Sequence, residues 1–376
     1  METFAVVTAC DDKFAQHTSV MLRSLLENNP KTTFRIFVLV PSDFPTNIQS
    51  MITNSMPSGR YSFTFIQICY QNLSALKIGG WASHTTYCRL MIADLLPEIS
   101  RALYLDSDIV VMGDISAMLH LDLSQYPLAA ALDPLDASAD KRKINLGQSV
   151  PYFNAGVMLL NLDRWRLENI GRRALDFATT NPQYIVLWNQ WDQCALNNII
   201  RGNFLVLPKE WNFQRADVDF DFASNKSIER AKRAKVLHFT TSEKPWFFMN
   251  NHPLKREYWK YLQRTEWKHY VEPDRTLKRM VLKALRSHFP SFFPSVERIS
   301  VPHEIDEILD LLPPQVTLNV PDHILSLWFP PGPANGVMEG RALSRALSYA
   351  QSRACRFAYH GSIGEGVFYK AIPSED

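Results

Sequence analysis

The stretch Arg101 to Asp114, RALYLDSDIVVMGD, constrains this chain more than any other. Ala102 to Leu105 and Ile109 to Met112 are apolar runs, and Asp106, Ser107 and Asp108 stand between them. A run bounded in this way predicts a buried strand interrupted by a polar site. Two carboxylates so close in sequence are costly to bury unless positive charge lies between them. A divalent cation held through hard oxygen ligands meets that need. At a strand end such a cation can also grip a diphosphate, whose oxygens complete its coordination shell. A surface turn with two solvated aspartates is the alternative for the triplet taken alone. The apolar residues on either side, and a second stretch far downstream, favour the metal.

The rest of the first two thirds alternates strand and helix patterns. Phe4 to Thr8 is a β-rich run, followed by Ala9, Cys10 and Asp11. Gln16 to Asn28 carries helical apolar spacing, and Pro30 closes it. Phe34 to Val40 is nearly all apolar, as in a strand covered on both faces. Ile48 to Met56 reads as a helix and Phe63 to Ile68 as a strand. This alternation argues for a doubly wound α/β domain with a mainly parallel sheet, in which ligands bind beyond the carboxyl ends of strands. Asp11 then lies at one strand end and Asp106 at another, around the same crevice. Thr85 to Leu96 reads as a helix carrying Arg89, which can snorkel, pair with an acid, or reach that crevice. Leu128 to Leu132 is a further strand ending in Asp133.

In Phe153 to Asp163, FNAGVMLLNLD, the small Ala155 and Gly156 allow a ligand or another backbone to approach closely. Asp163 reads as the N-cap of a helix starting at Arg164. Asn189 to Ile200 reads as another helix, with Asp192 and Gln193 in its first turn. Val236 to Phe239 is a strand candidate that ends with His238, a candidate third metal ligand. Lys244, six residues on, can neutralise phosphate oxygens as a point charge. Asp217, Asp219 and Asp221 in ADVDFDF form a rival acidic cluster. No apolar strand delivers them into a crevice, so they rank below Asp106 and Asp108.

Composition narrows the classes. With 376 residues, 46% of them hydrophobic and 21% charged, the chain can bury a large core with a smaller second unit. A net charge of +2 gives no nucleic-acid signature. No apolar run reaches the roughly 20 residues of a membrane span. METFAVVTAC reads as a first strand, not a signal peptide. The five cysteines form no zinc or redox spacing and read as free thiols in a reducing cytoplasm.

Taken together and in this order, ALYLDSDIVV, YFNAGVMLLNLDRW, DQCALN and HFTTSEKPW resemble glycosyltransferase family eight, the retaining enzymes with a GT-A fold. The resemblance runs from about Phe4 to Trp246 and is strongest to bacterial members that add galactose or glucose to lipopolysaccharide. It implies that Asp106 and Asp108 bind manganese, or magnesium in its place, with His238 as third ligand. It implies that Ala9, Asp11 and Ser107 border the UDP moiety, with Asp11 by the uracil and ribose. Arg89, Asp133, Asn154, Ala155, Asp192 and Gln193 would line the donor sugar, and Lys244 would hold the diphosphate. Gln193, backed by Asp192, would be the residue nearest the anomeric carbon. The family pattern has glycine where this chain has Thr241, and often a small polar residue where it has Lys13.

Residues 255 to 286 carry ten Lys and Arg against four Asp and Glu, interleaved with Tyr258, Trp259, Tyr261, Trp267 and Tyr270. This reads either as an interfacial helix for an anionic membrane surface or as a helix packed on the catalytic domain. The expected division is a catalytic domain at 1–252, a basic helical segment at 253–289, a proline-rich linker at 290–302 and a small α+β module at 303–376. The function expected is transfer of a hexose from UDP-galactose or UDP-glucose to a saccharide or lipid-linked acceptor. It would take place in the cytoplasm or on the inner face of the plasma membrane. A nucleotide-sugar-binding protein without turnover and a self-glucosylating primer protein are the alternatives.

Overall fold

In a computed structural model of the protein, the apolar runs become strands sandwiched between two layers. The structure describes residues 2–69, 73, 76, 84–134, 146–147, 149–181, 191–217, 231–240, 244–250, 252–277, 279–280, 283, 305–306, 309, 317–330, 332–334, 337–353, 355–361 and 364–370. They divide into two compact units, 1–275 and 276–376. The boundary falls inside the segment expected to be one helical stretch.

In the first unit, β1 (Thr3–Ala9), β2 (Thr33–Pro41), β3 (Tyr61–Ile68) and β4 (Arg101–Leu105) run parallel. β5 is Ile109–Val111, β6 is Leu128–Leu132, β7 is Phe153–Asn161 and β8 is Leu205–Leu207. One seven-stranded sheet has the order β3-β2-β1-β4-β7-β6-β8, with β7 antiparallel to both neighbours. Successive residues of a strand face opposite sides. Ala102 and Tyr104 therefore enter one core, with Leu90, Trp165 and Leu196, while Leu103 and Leu105 enter the other, with Met21, Leu25 and Ile115. Burial on both faces is why these strands show no polar alternation.

The stretch around Asp106 is not one interrupted strand. β4 belongs to the large sheet, whereas β5 belongs to a small one, in which it lies antiparallel to β10 (Val236–His238), itself parallel to β9 (Phe213–Gln214). The chain changes sheet at Ser107, so Asp106 ends one strand and Asp108 precedes another.

Helix α1 spans Ala15–Asn28 and is led in by a short 3₁₀ turn capped by Asp11, whose Oδ1 accepts from Phe14 N at 3.1 Å. The segment expected as a helix from Thr85 winds first as a 3₁₀ helix, His84–Met91, and is α-helical only over Ile92–Leu95. The helix expected to be capped by Asp163 is instead Leu162–Leu167, capped by Asn161, whose side chain accepts from Arg164 N. The strand reaches its polar residue two positions earlier than the acidic one, and Asp163 serves inside the first turn as a partner of Arg166 at 2.6 Å. Trp191–Ile200 brings Asp192 and Gln193 into its first turn.

From the basic segment, helix Lys255–Leu262 lies on α1. Tyr258 and Tyr261 are buried, and the Tyr258 hydroxyl meets Gln16 Nε2 at 2.9 Å and His17 Nδ1 at 2.7 Å. The aromatic residues interleaved there thus face protein, while Arg256, Lys260 and Arg264 line a surface groove.

In the second unit, β11 (Thr317–Pro321), β13 (Glu365–Tyr369) and β12 (Arg356–His360) form an antiparallel sheet with β13 central, accompanied by helices Asp322–Trp328 and Gly340–Ser352. The helix at Asp322 had no counterpart in the sequence reading. The proline-rich segment at 290–302 lies outside the described residues. Among the described residues, no helix is long and apolar enough to cross a membrane.

Candidate active site

Strand direction assembles the site. β4 and β10 deliver Asp106 and His238 at their carboxyl ends, and β7, being antiparallel, contributes its beginning, Asn154 and Ala155. Asp106 N donates to Gly156 O at 2.9 Å, which seats the carboxylate against β7. One ligand atom from each of Asp106, Asp108 and His238 can be chosen so that all lie within 4.8 Å of one another. His238 Nε2 is 3.2 Å from Asp108 Oδ1 and 3.9 Å from Asp106 Oδ2. Gly156 makes room for this group. A Cβ there would stand 2.2 Å from His238 Cε1 and 2.7 Å from Asp106 Oδ2. Two carboxylates and a neutral imidazole are a donor set that suits Mn²⁺ or Mg²⁺, so the residues present fit a divalent cation.

Two cations flank the carboxylates. Arg89 is buried, with Nη2 on Asp106 Oδ1 at 2.9 Å, Nε beside Asp192 Oδ2 at 2.8 Å and Nη1 donating to Ala155 O at 2.9 Å. Its guanidinium carbon lies 4.7 Å from the Tyr104 ring centroid, and the Tyr104 hydroxyl donates to Asp106 at 2.8 Å. Lys244 Nζ lies 2.5 Å from Asp108 Oδ2 and donates to Phe239 O at 2.8 Å. Burial acts to raise the Asp108 carboxyl pKa, but Lys244 and His238 outweigh it and hold it well below the usual range.

Asp192 goes the other way. Burial dominates, Arg89 only partly offsets it and Asp106 adds repulsion, so its pKa is pushed up to about 6. The Arg89 Nε–H is directed at Thr86 O, 3.2 Å away, which leaves Asp192 Oδ2 without a hydrogen bond among the described residues despite its closeness.

Gln193 is held at both ends of its amide. Oε1 accepts from Ala155 N at 3.0 Å and Nε2 donates to Asp133 Oδ2 at 2.9 Å. Ser107 Oγ donates to Ala9 O at 3.1 Å and accepts from Thr18 Oγ1 at 3.0 Å, which ties the end of β1 to the carboxylate loop. Ala155, Gln193 and Asp133 thus form one bonded group, with Asn154 next to it in β7, Arg89, Asp106 and Asp192 a second, and Asp108, His238 and Lys244 a third. Ala9, Asp11 and Ser107 stand at the end of β1.

Of the rival acidic cluster, Asp217 does not join them. Asp217 caps its own turn, accepting from Gln214 N at 3.0 Å, and pairs with Lys209 at 3.3 Å. Asp219 and Asp221 lie outside the described residues, as does Thr241. Two residues of the neighbourhood carried no motif in the sequence reading. Asn212, fully buried, bonds both Asn154 and His238 at 2.9 Å. His17 stacks on Trp246 with ring centroids 3.5 Å apart, beside the Lys244 loop. Its pKa is lowered to about 3, chiefly by burial, so the ring is neutral.

Residues 5–250 match the glycosyl transferase family 8 profile. The chain belongs to that family, and its fold is the α/β GT-A fold. General stress protein A of Bacillus subtilis is 27% identical over 277 residues, covering 71% of this chain and 95% of that protein. The lipopolysaccharide 1,2-glucosyltransferase of Escherichia coli K12 is 26% identical over 276 residues, covering 71% and 80%. Among solved structures, the galactosyltransferase LgtC in complex with donor and acceptor sugar analogues superposes with a TM-score of 0.60 at 22% identity, covering 72% of this chain and 98% of that one.

Proposed function

We propose that this glycosyltransferase moves galactose or glucose from UDP to a hydroxyl of a saccharide or lipid-linked saccharide, with retention at the anomeric carbon and dependence on Mn²⁺ or Mg²⁺. The observation that carries the reading is the convergence of Asp106, Asp108 and His238 within 4.8 Å at the same strand ends that hold Gln193 and Arg89. When bound, the cation supplies charge stabilisation for the departing β-phosphate.

The residues of this chain supply the rest. Lys244 is positioned to move from Asp108 to phosphate oxygens once other positive charge sits on that carboxylate. Arg89 holds Asp106 in place through its ion pair. Asp133, Asn154, Ala155 and Asp192 border the sugar. Ala9, Asp11 and Ser107 border the nucleoside. The Gln193 amide is held at both ends and offers no carboxylate nucleophile, so attack by the acceptor hydroxyl from the face that UDP leaves is the route that fits. Names of relatives that act on lipopolysaccharide support the acceptor class. The deciding experiment measures UDP release from UDP-galactose and UDP-glucose with and without chelator. Release that requires Mn²⁺ or Mg²⁺ is expected, and undiminished turnover in metal-free buffer would remove the metal site from the reading. Binding of UDP-sugar with no release for any acceptor would make it a binding protein.

The proposed setting is the cytoplasmic side of an anionic membrane. The basic groove on helix Lys255–Leu262 supports it. Each cation near such a surface contributes about 1 kcal/mol. Native protein should therefore sediment with anionic vesicles at low salt and be released by added salt. Protein left in the supernatant at low salt would exclude this setting.

A further inference from the structure

A backbone N–H can only donate, and one such group fixes the polarity of a buried chain of side chains. Gly156 N donates to Asn154 at 3.1 Å, so the atom it meets is the carbonyl oxygen Oδ1. That oxygen also lies 2.9 Å from Asn212, which must present its NH₂ group there. The opposite end of the Asn212 amide is then an oxygen, and it lies 2.9 Å from His238 Nδ1. An oxygen acceptor requires Nδ1 to carry the proton. Nε2 is the nitrogen that faces Asp108 and Asp106, so with the Nδ1 proton committed to Asn212 it is Nε2 that a cation can take.

We propose that Asn212 is a positioning residue that sets the tautomer of His238 and the rotamer of Asn154 together, so that metal affinity and donor-sugar affinity depend on one buried amide. The proposal rests on the metal and sugar roles assigned above to His238 and Asn154. Asn212 is fully buried and belongs to neither group. Without it, a neutral His238 would be free to place its proton on Nε2 and donate to Asp108, opposing a cation there. At the same time Asn154 would lose one of the two donors that hold its oxygen, and with them the direction of its NH₂ end. Groups that orient a metal-ligating histidine typically matter 10- to 100-fold in metal affinity.

The test begins with the native, metal-free protein. Its histidines are labelled with ¹⁵N, and His238 is assigned by comparison with His238→Gln. Nδ1 is expected to carry a proton, and an Nδ1 without one overturns the proposal whatever the protein's activity. Mn²⁺ titration then compares native protein, Asn212→Asp and Asn212→Leu. Leucine removes both hydrogen bonds and should weaken Mn²⁺ about 10- to 100-fold. Aspartate keeps the acceptor for His238 but loses the donor to Asn154. It should hold Mn²⁺ as native protein does while UDP-sugar loses its advantage over UDP. A folded Asn212→Leu protein that binds Mn²⁺ as tightly as native overturns the proposal. If Asn212→Leu does not fold, the native tautomer and the aspartate variant decide. A native protein with the Nδ1–H tautomer but no Mn²⁺ binding supports the tautomer inference and sinks the metal reading instead.

Discussion

Arg89 and Lys244 each neutralise one carboxylate of the same Asp-Ser-Asp turn, yet they are held in opposite ways. Arg89 spends its fork on Asp106, Asp192 and the Ala155 carbonyl beneath a buried tyrosine. Lys244 is a compact ammonium over the Trp246 ring with two described hydrogen bonds, to Asp108 and the Phe239 carbonyl, and an ammonium has three N–H groups to give. The side chain of Arg89 is 9% exposed and that of Lys244 17%. The lesson is a division of labour. One cation is part of the scaffold, and the other can be handed to a ligand.

The largest expected effect tests the turn itself. Asp108→Ala should abolish metal-dependent UDP binding and lower kcat/KM by about 10³-fold or more, because it removes a ligand of the cation and the anchor of Lys244 together. UDP binding by calorimetry with and without Mn²⁺ checks this, and intact metal-dependent binding would displace Asp108 from the site.

Next, the two cations should fail differently when changed to methionine. Arg89→Met strands the buried Asp192 and the half-buried Asp106 and should cost about 3–5 kcal/mol of stability. Lys244→Met should leave the melting temperature close to native and lower kcat by about 10²- to 10³-fold. Similar melting losses in both variants would break the comparison. Gln193→Ala should be milder, lowering kcat by about tenfold or more with little change in UDP-sugar affinity. Equal loss in both quantities would mean that Gln193 contributes only to binding.

The smallest effect is a pH slope. A carboxyl whose pKa rises on folding binds protons more readily in the native state, so it destabilises as pH climbs. For Asp192 the window runs from its ordinary value near 3.8 to about 6. The melting temperature of Asp192→Asn minus that of native protein should therefore rise from pH 4 to pH 6 and level off above. Asp108, held low, has the opposite sign and contributes stability that is lost only in stronger acid. A flat difference across pH 4 to 6 would show that Arg89 neutralises Asp192 fully.

Much of the fold was legible because burial on both faces leaves a plain mark in sequence. The apolar runs at Phe34, Leu128 and Val157 need no partner information to be read as strands. The convergence of Asp106, Asp108, His238 and Lys244 was legible because strand ends in this topology point to one crevice, and the family resemblance supplied the roles proposed for them. What could not be read depended on the other end of a contact. Nothing in Ile109 to Val111 says that it leaves the sheet of Leu105, because that choice is made by pairing with Val236 to His238. Asn161 outcompeted Asp163 as a cap through where β7 ends, not through propensity. Asn212 sits in an unremarkable loop, and its importance lies in the two side chains it meets.

The sheet change at Ser107 also bears on the order in which the molecule can form. β1, β2 and β3 pair with near neighbours in sequence and β4 returns to β1 over the span from Ala5 to Ala102, whereas Lys244 and Asp108 stand 136 residues apart. Closing so long a loop costs entropy that later contacts must repay. A chain growing from its N-terminus can pair β1, β2, β3 and β4, and then β7, before His238 and Lys244 exist. Through that interval Arg89 is the cation already in place to steady Asp106. Asp108 must wait for the segment that brings both of its partners, so this corner of the site cannot form before β10 and Lys244 are made.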